Sequence, residues 1–315
     1  MRFVATLFFS LAVASAGVAR ADEVCPGHPD ALGVSRVLTV SPEDFTRIGT
    51  MQYRQTLPLK DHEVVITFDD GPLPPYSDRI LDTLASQCVK VTYFLVGQMA
   101  RAYPWVVRRM YNDGHTIGTH SLDHPLIFQN LPLEKVEHEV DGGINLVDTA
   151  IGDPAAVSPF FRIPGLGRSK VSENFLASHD LITWSADVVA DDWFHHISAD
   201  QIVRRAMRRL EAKGRGILLL HDIHPATAMA LPVLLKQLKD KGFRVVQVVA
   251  AGERPPSVPE LVVAHKSGWP TVPEKTAKSE AQGKHHRIKL ASARKQHHAA
   301  AEPVTVNYDR AVGQF

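Results

Sequence analysis

Short apolar runs alternate with longer amphipathic stretches between Glu63 and Val249. The runs lack the alternating polar positions of a half-exposed strand, and this pattern is typical of parallel strands that are buried on both faces. They predict seven strands, at residues 64–68, 89–95, 116–119, 157–162, 181–184, 217–221 and 244–249. The stretches between them predict six helices, at residues 77–86, 100–113, 133–151, 170–179, 199–213 and 225–241. This repetition predicts an α/β fold whose parallel sheet closes into a barrel.

The segments outside the repeat predict three further parts. Residues 1–21 combine Arg2, an apolar run and small residues around Arg20, which is typical of a cleaved secretory signal. A membrane anchor is the alternative, although small residues dilute the run and no later stretch resembles a membrane span. Residues 22–62 form an N-terminal extension, with a small hairpin or cap at 35–57, before a main domain at 63–254. Residues 255–315 predict a disordered, basic, histidine-containing tail.

The predicted signal also bears on the two cysteines of the chain. A secreted or periplasmic location is expected, and an oxidising compartment permits a disulfide between Cys25 and Cys88. Free thiols are the alternative.

Composition and charge exclude several classes of protein. With 315 residues and 44% hydrophobic positions, the chain is neither wholly disordered, nor collagen-like, nor a disulfide-dense mini-protein. A net charge of +1 lacks the basic excess of a dedicated nucleic-acid binder. Four arginines on the predicted helix 199–213 are interpreted as a solvated face. From Ala264 onward nine basic residues outnumber four acidic ones. Two interpretations of this tail stay open. It could recruit metal ions or bind anionic envelope polymers, or it could be a solvated extension with no dedicated role.

Polar residues follow the carboxyl ends of the predicted strands, where parallel α/β folds build their sites. Asp69 and Asp70 end the first strand, and because adjacent strand residues point to opposite faces, one is expected to bind a metal ion and the other to act as a base. His120 and His124 follow the third strand at a spacing that can hold one metal ion. With a carboxylate they form a His₂-Asp set that leaves positions open for water and substrate. An Asp-Gly-Pro turn and an unrelated histidine pair are the alternatives.

Later strand ends add further candidates. Arg162 can hold a carboxylate in place, and the glycine-rich turn at Gly165 can present backbone N–H groups to an oxyanion. His221 ends an apolar strand and can serve as a general acid if a carboxylate, for which Asp187 is the candidate, raises its pKa. An ordinary loop and a structural histidine are the alternatives.

With these groups in this order, the chain resembles the NodB homology family of polysaccharide deacetylases (carbohydrate esterase family 4). The similarity covers residues 63–249, and TFDDGP and HSLDH are its specific segments. The resemblance implies a distorted (β/α)7–8 TIM-like barrel and a divalent metal ion, with zinc favoured by the His₂-Asp set. It also implies a role for each matched residue: Asp69 as catalytic base; Asp70, His120 and His124 as metal ligands; Arg162 as the group that orients Asp69; Asp187 as the group that tunes the general acid His221; Gly165 as the backbone donor; and Trp193 and Leu219 as the lining of the acetyl pocket.

The sequence departs from the family pattern in two places. Gly165 stands where the family usually has an aromatic residue, so a backbone donor is kept and a stacking side chain is lost. Residues 188–191 lengthen the fourth motif, so the position of Trp193 is open.

The resemblance implies a secreted, metal-dependent hydrolase that removes the N-acetyl group from N-acetylglucosamine units of chitooligosaccharide- or peptidoglycan-type glycans and releases acetate. Two alternatives stay open: an O-deacetylase of xylan or exopolysaccharide, and a catalytically silent glycan-binding relative. The expected partner is an acetylated glycan, with no nucleic acid and no stable membrane span after signal cleavage. The oligomeric state is not predicted.

Overall fold

The computed structural model describes residues 25–153 and 156–252 and, for the backbone alone, residues 261–263. The predicted signal at 1–21 and the tail from residue 264 onward lie outside the described residues. Within the described ranges, no helix has the length and apolar character needed to cross a membrane.

The strands of the described ranges form one sheet in which every paired neighbour runs parallel. Their bounds are β1 (Arg36–Val40), β2 (Arg47–Ile48), β3 (Glu63–Asp69), β4 (Thr92–Leu95), β5 (Thr116–Thr119), β6 (Val157–Arg162), β7 (Ile182–Trp184), β8 (Val188–Val189), β9 (Gly216–His221), β10 (Arg244–Ala250) and β11 (Leu261–Val263).

The sheet closes into a barrel. Strands β3 to β7 pair in chain order, and β9 pairs with the other side of β3. Trp184 of β7 is paired with β6, whereas Val188 of β8 is paired with Leu218 of β9. Because β7 and β8 are consecutive pieces of one chain segment, they join the two ends of the ring. The predicted α/β barrel is confirmed.

Helices cover the outside of the sheet. Their bounds are α1 (Tyr76–Ser86), α2 (Gly97–Ala102), α3 (Pro104–Asn112), α4 (Leu133–Ile151), α5 (Lys170–Ser178), α6 (Ala199–Lys213) and α7 (Pro225–Asp240). Capping boxes begin α5 at Ser169 and α6 at Ser198. Glycines in the left-handed conformation end α4 at Gly152 and α6 at Gly214, as is common at helix C-termini.

The predicted helix at 100–113 is wrong in one respect, because the structure divides it at Tyr103. That residue has φ −129° and ψ 54°, and Pro104 then occupies the first turn of α3. A residue before proline is disfavoured in the helical conformation, and proline itself lacks the N–H that would continue the preceding helix.

Segments on both sides of the predicted main domain at 63–254 also take part in the sheet. Residues 35–57 form no separate hairpin, since β1 pairs in parallel with β10 and β2 pairs in parallel with β7. The backbone of β11 pairs with β1, so the sheet continues beyond the predicted boundary at residue 254.

A disulfide joins Cys25 to Cys88, with their Cα atoms 5.7 Å apart. The structure therefore contains the disulfide and not two free thiols. It ties residue 25 to the segment that follows α1.

Large side chains fill the barrel. Trp184 contacts Phe94 and Phe160, with ring centroids 5.5 and 5.0 Å apart, and all three side chains are buried. A second and larger apolar layer lies between the sheet and the surrounding helices. Since the interior is packed, the polar site lies at the carboxyl end of the strands.

Candidate active site

The turn after β3 separates the two adjacent aspartates. Asp69 is buried and keeps the strand conformation, whereas Asp70 has φ +76°. At Gly71 a Cβ atom would lie 2.1 Å from Asp222 Oδ1, so a glycine is needed for the chain to pass this buried carboxyl group. The two carboxylates consequently face different partners.

Asp70 faces two histidines. Its Oδ1 atom is 3.4 Å from Nε2 of His120 and 3.4 Å from Nε2 of His124. The ligand atoms of these three residues all lie within 4.8 Å of one another. Ligand atoms at the usual distances from a tetrahedral zinc ion stand about 3.4 Å apart, which matches the spacing between Asp70 and each histidine.

The surroundings of this cluster also suit a cation. Asp70 Oδ1 is buried and accepts no hydrogen bond from the described residues. The Nδ1 atom of His120 lies 2.5 Å from the carbonyl oxygen of Arg162, and Nε2 is therefore directed at Asp70. Metal-bound histidines commonly have such a carbonyl partner on their other ring nitrogen, and it fixes the orientation of the ring. Burial would raise the pKa of Asp70, but the charges of His124, His221 and His120 hold it well below its usual range. The residues present therefore fit a divalent metal ion.

Asp69 is held by a fully buried arginine. Arg162 Nη1 donates to Asp69 Oδ1 at 2.6 Å and to Thr67 Oγ1 at 2.7 Å, while Nη2 donates to the carbonyl oxygen of Ser185 at 3.0 Å. Its guanidinium lies 4.2 Å from the centroid of the Phe94 ring. The second carboxylate oxygen, Oδ2, is 3.9 Å from His120 Nε2 and so faces the metal cluster.

The partner of His221 is Asp192, and the prediction of Asp187 for this role is wrong. Asp192 Oδ1 lies 2.8 Å from His221 Nδ1, and Oδ2 accepts from the His221 backbone N–H and from Thr227 Oγ1. Burial would lower the pKa of His221, but the carboxylates of Asp192 and Asp70 raise it to about 10. Its Nε2 atom is 4.0 Å from Asp70 Oδ2, so this edge of the imidazole lies beside the metal cluster.

Asp187 instead holds the N-terminal segment. Its Oδ1 atom accepts from the backbone N–H and the hydroxyl of Thr50, and its Oδ2 atom accepts from Thr56 Oγ1 and the N–H of Ile217. The contacts with Thr50 and Thr56 anchor residues that precede the barrel strand β3, and the contact with Ile217 joins them to β9. Asp187 therefore lies outside the group of side chains around the metal cluster.

Two of the four arginines on α6 are not merely solvated. Arg209 donates through both Nη atoms to the carboxylate of Asp191, and Arg205 adds a third contact at 3.1 Å. Asp191 has φ +55° and is followed directly by Asp192 and Trp193. The arginines thus hold the turn that carries the partner of His221.

Of the remaining predicted residues, Trp193 and Leu219 lie beside His221. The Trp193 ring packs against His221 with centroids 5.6 Å apart, so the longer fourth motif still brings this residue to the site. Leu219 is buried two residues before His221 on β9, on the same side of the strand. Gly165 is exposed, has φ +56°, and has open space where a side chain would stand.

The chain is similar in sequence to known polysaccharide deacetylases. A family model described as "Polysaccharide deacetylase" matches residues 56–184. The peptidoglycan-N-acetylglucosamine deacetylase of Bacillus cereus is 30% identical over 197 residues, which cover 61% of this chain and 89% of that protein. The chain belongs to the polysaccharide deacetylase family. It is thereby a member of a family of hydrolases that act on carbon–nitrogen bonds other than peptide bonds, and whose deacetylases are in general metal-dependent.

Other polysaccharide deacetylases match over part of their length. The peptidoglycan-N-acetylglucosamine deacetylase PgdA of Listeria monocytogenes is 31% identical over 187 residues, which cover 59% of this chain and 38% of that protein. The solved structure of a peptidoglycan deacetylase from Bdellovibrio bacteriovorus superposes with a TM-score of 0.61 at 31% identity, covering 70% of this chain and 60% of that one. These relatives support a glycan deacetylase.

Sequence reasoning missed some residues of this deacetylase site. Asp192 had one usable signal, its position directly before Trp193. Thr227 and the Ser185 carbonyl had none, because a hydroxyl on a helix and a backbone oxygen are common to every chain.

Proposed function

We propose that the protein is an exported, zinc-dependent N-deacetylase of glycans that contain N-acetylglucosamine. The observation that carries the proposal is the convergence of three sets of side chains at one end of the barrel. Asp69 is paired with Arg162, Asp70 faces two histidines, and the general acid candidate His221 is paired with a buried carboxylate. Base, metal ligands and acid are the groups that hydrolysis of an acetamide needs.

The proposed ligands of the zinc ion are Asp70 Oδ1 and the Nε2 atoms of His120 and His124. The chemistry supplied by zinc at such a site is polarisation of the acetyl carbonyl and a lower pKa for a water molecule. A set of three protein ligands leaves room for both water and substrate.

Asp69 acts as the base in this proposal. Arg162 occupies its Oδ1 atom, so Oδ2 is the atom that accepts a proton from water. The oxygen of that water forms a bond to the acetyl carbon, and the backbone N–H of Gly165 donates to the oxyanion, since the N–H groups of Leu166 and Gly167 already donate to backbone carbonyls. Fixing the carboxylate through buried hydrogen bonds keeps the accepting oxygen in place without reorganisation.

His221 acts as the acid. Asp192 holds its Nδ1 atom, so the proton on Nε2 is the one available for transfer. It passes to the sugar nitrogen as the carbon–nitrogen bond breaks, and the products are acetate and a glucosamine unit. Trp193 and Leu219 are proposed to line the pocket for the acetyl methyl group.

Relatives support the choice of substrate. The Bacillus cereus and Listeria monocytogenes proteins are peptidoglycan-N-acetylglucosamine deacetylases by name. Export is proposed from the signal-like residues 1–21 and agrees with a disulfide in the folded chain. Fractionation of cells that express the full chain tests export: recovery of the uncleaved protein in the cytoplasm would contradict it.

Released acetate tests the activity. The mature chain is incubated with N-acetylglucosamine oligomers and with acetylated xylan, first with zinc and then with a chelator, and Asp69→Asn serves as the matched inactive variant. We expect chelator-sensitive acetate from the oligomers. Acetate from xylan alone would make the protein an O-deacetylase, and glycan binding without any acetate would make it a silent relative.

A further inference from the structure

A chain of aromatic contacts leads outward from the general acid. Trp193 packs on His221, and Phe194 packs edge-on against Trp193 with centroids 5.5 Å apart. The guanidinium of Arg205 then lies 5.4 Å from the centroid of the Phe194 ring. Phe194 is 50% exposed. Phe194 is thus separated from the general acid by one aromatic ring, and an exposed aromatic ring at such a position can pack against the apolar face of a sugar.

The outer end of this chain is a cationic surface on α6. Arg204, Arg205 and Arg208, which we call the arginine face, line with Gln201 a shallow surface cavity of about 570 Å³. Arg205 is committed to Asp191. Among the residues that the structure describes, no carboxylate lies within 4 Å of the side-chain nitrogens of Arg204 or Arg208, and both residues are exposed.

Guanidinium groups that form no ion pair with a described carboxylate favour one kind of ligand. Their planar donors match carboxylates, to which they give paired, charge-assisted hydrogen bonds. A neutral glycan offers only hydroxyl and acetamido groups and gains little from such a surface. The carboxylates of an acidic glycan complement it in charge.

We propose that the arginine face is a subsite for the carboxylate groups of an acidic glycan, occupied by sugars that neighbour the one at His221. The inference rests on the proposed function for the position of the reacting sugar. Phe194 is the stacking surface between the two positions. The carboxylates belong to the glycan itself, as in the lactyl group of N-acetylmuramic acid, or to peptides attached to it.

A double variant, Arg204→Ala with Arg208→Ala, tests the subsite. Kinetics are measured with two substrates that carry the same N-acetyl group: peptidoglycan glycan strands, which are acidic, and N-acetylglucosamine oligomers, which are neutral. We expect KM for the acidic strands to rise about three- to tenfold, the size expected for two exposed ion pairs. The kcat on both substrates and KM for the oligomers should stay unchanged, and about 0.5 M salt should remove the difference between variant and wild type.

Two variants control for other effects of the substitutions. Arg79→Ala removes an exposed arginine from α1, on the outside of the barrel, and should leave KM for both substrates unchanged. Arg204→Lys with Arg208→Lys keeps the charge but not the planar donors, and should restore part of the affinity for the acidic strands. Glycan strands from which an amidase has removed the peptides distinguish the two sources of carboxylate. If the double variant still raises KM for these strands, the carboxylate belongs to the sugar; if KM no longer changes, it belongs to the peptide.

Equal changes on the acidic and neutral substrates, or no change on the acidic one, would overturn the subsite. Failure of the proposed function gives a different result, namely no acetate from either substrate by the wild-type protein. In that case cosedimentation with intact peptidoglycan decides the inference. Weaker binding of the double variant than of the wild type supports it, and equal binding overturns it.

Discussion

Replacing Asp187 with asparagine tests what this buried carboxylate does. The family resemblance implies that it tunes His221, whereas in the structure its two oxygens accept four hydrogen bonds from Thr50, Thr56 and Ile217. The substitution Asp187→Asn changes the volume little and replaces one accepting oxygen with a donating NH₂ group. The effect should therefore appear in stability and not in catalysis.

The hydrogen bonds give the magnitude. A threonine hydroxyl can rotate and accept from the new NH₂ group, but a backbone N–H cannot. Whichever way the amide is oriented, the N–H of Thr50 or of Ile217 faces the NH₂ group and loses its acceptor. Losing a hydrogen bond to a charged group and leaving a buried donor unpaired cost about 2–4 kcal/mol together. For a domain of this size the melting temperature should fall by roughly 4–16 °C.

Thermal unfolding and steady-state kinetics on the same preparations provide the assay. At 25 °C, where the variant is folded, its kcat should stay within about twofold of wild type, because Asp192 still holds His221. Asp141→Asn is the matched control: Asp141 is exposed on α4, and its loss should change stability by less than about 0.5 kcal/mol. An Asp187→Asn variant with unchanged melting temperature and a kcat reduced a hundredfold or more would refute this reasoning and restore the role that the resemblance implies.

Three further predictions concern the site and the disulfide. The carboxylates of Asp192 and Asp70 raise the pKa of His221 to about 10, and Asp192→Asn removes the first of these charges. The imidazole should then lose its proton at lower pH, and the alkaline limb of the kcat–pH profile should move to lower pH; a limb that does not move contradicts the pairing. Asp69→Asn should retain zinc in a metal analysis while kcat falls about 10²–10⁴-fold, and full activity of this variant would refute the assignment of Asp69 as the base. Asp70→Ala should lose both zinc and turnover. Cys25→Ser opens a loop with a sequence separation of 63 residues and should lower the free energy of unfolding by about 4 kcal/mol, measured with denaturant, without changing kcat on a soluble oligomer.

Local patterns were sufficient for the elements that position the site. Helix Leu133–Ile151 and strand Thr116–Thr119 lie at their predicted bounds, because apolar spacing and end signals such as Gly152 act over a few residues. The strand-end residues were likewise predictable as a cluster. Parallel strands bring their carboxyl ends to one edge, so Asp70 and His120 had to lie near each other once both strands were placed.

The partners of individual side chains were decided by the tertiary structure alone. Asp187 and Asp192 both follow β7, and no pattern of burial in the sequence distinguishes them. The barrel closes between β7 and β8, which leaves Asp187 facing Thr50, 137 residues away in the chain. The turn at Asp191, held by arginines of α6, then carries Asp192 to His221. A hydrophobic pattern encodes which positions are buried, because burial depends on local periodicity. Which donor meets which acceptor depends on the path of the whole chain between them, and only the folded barrel specifies that path.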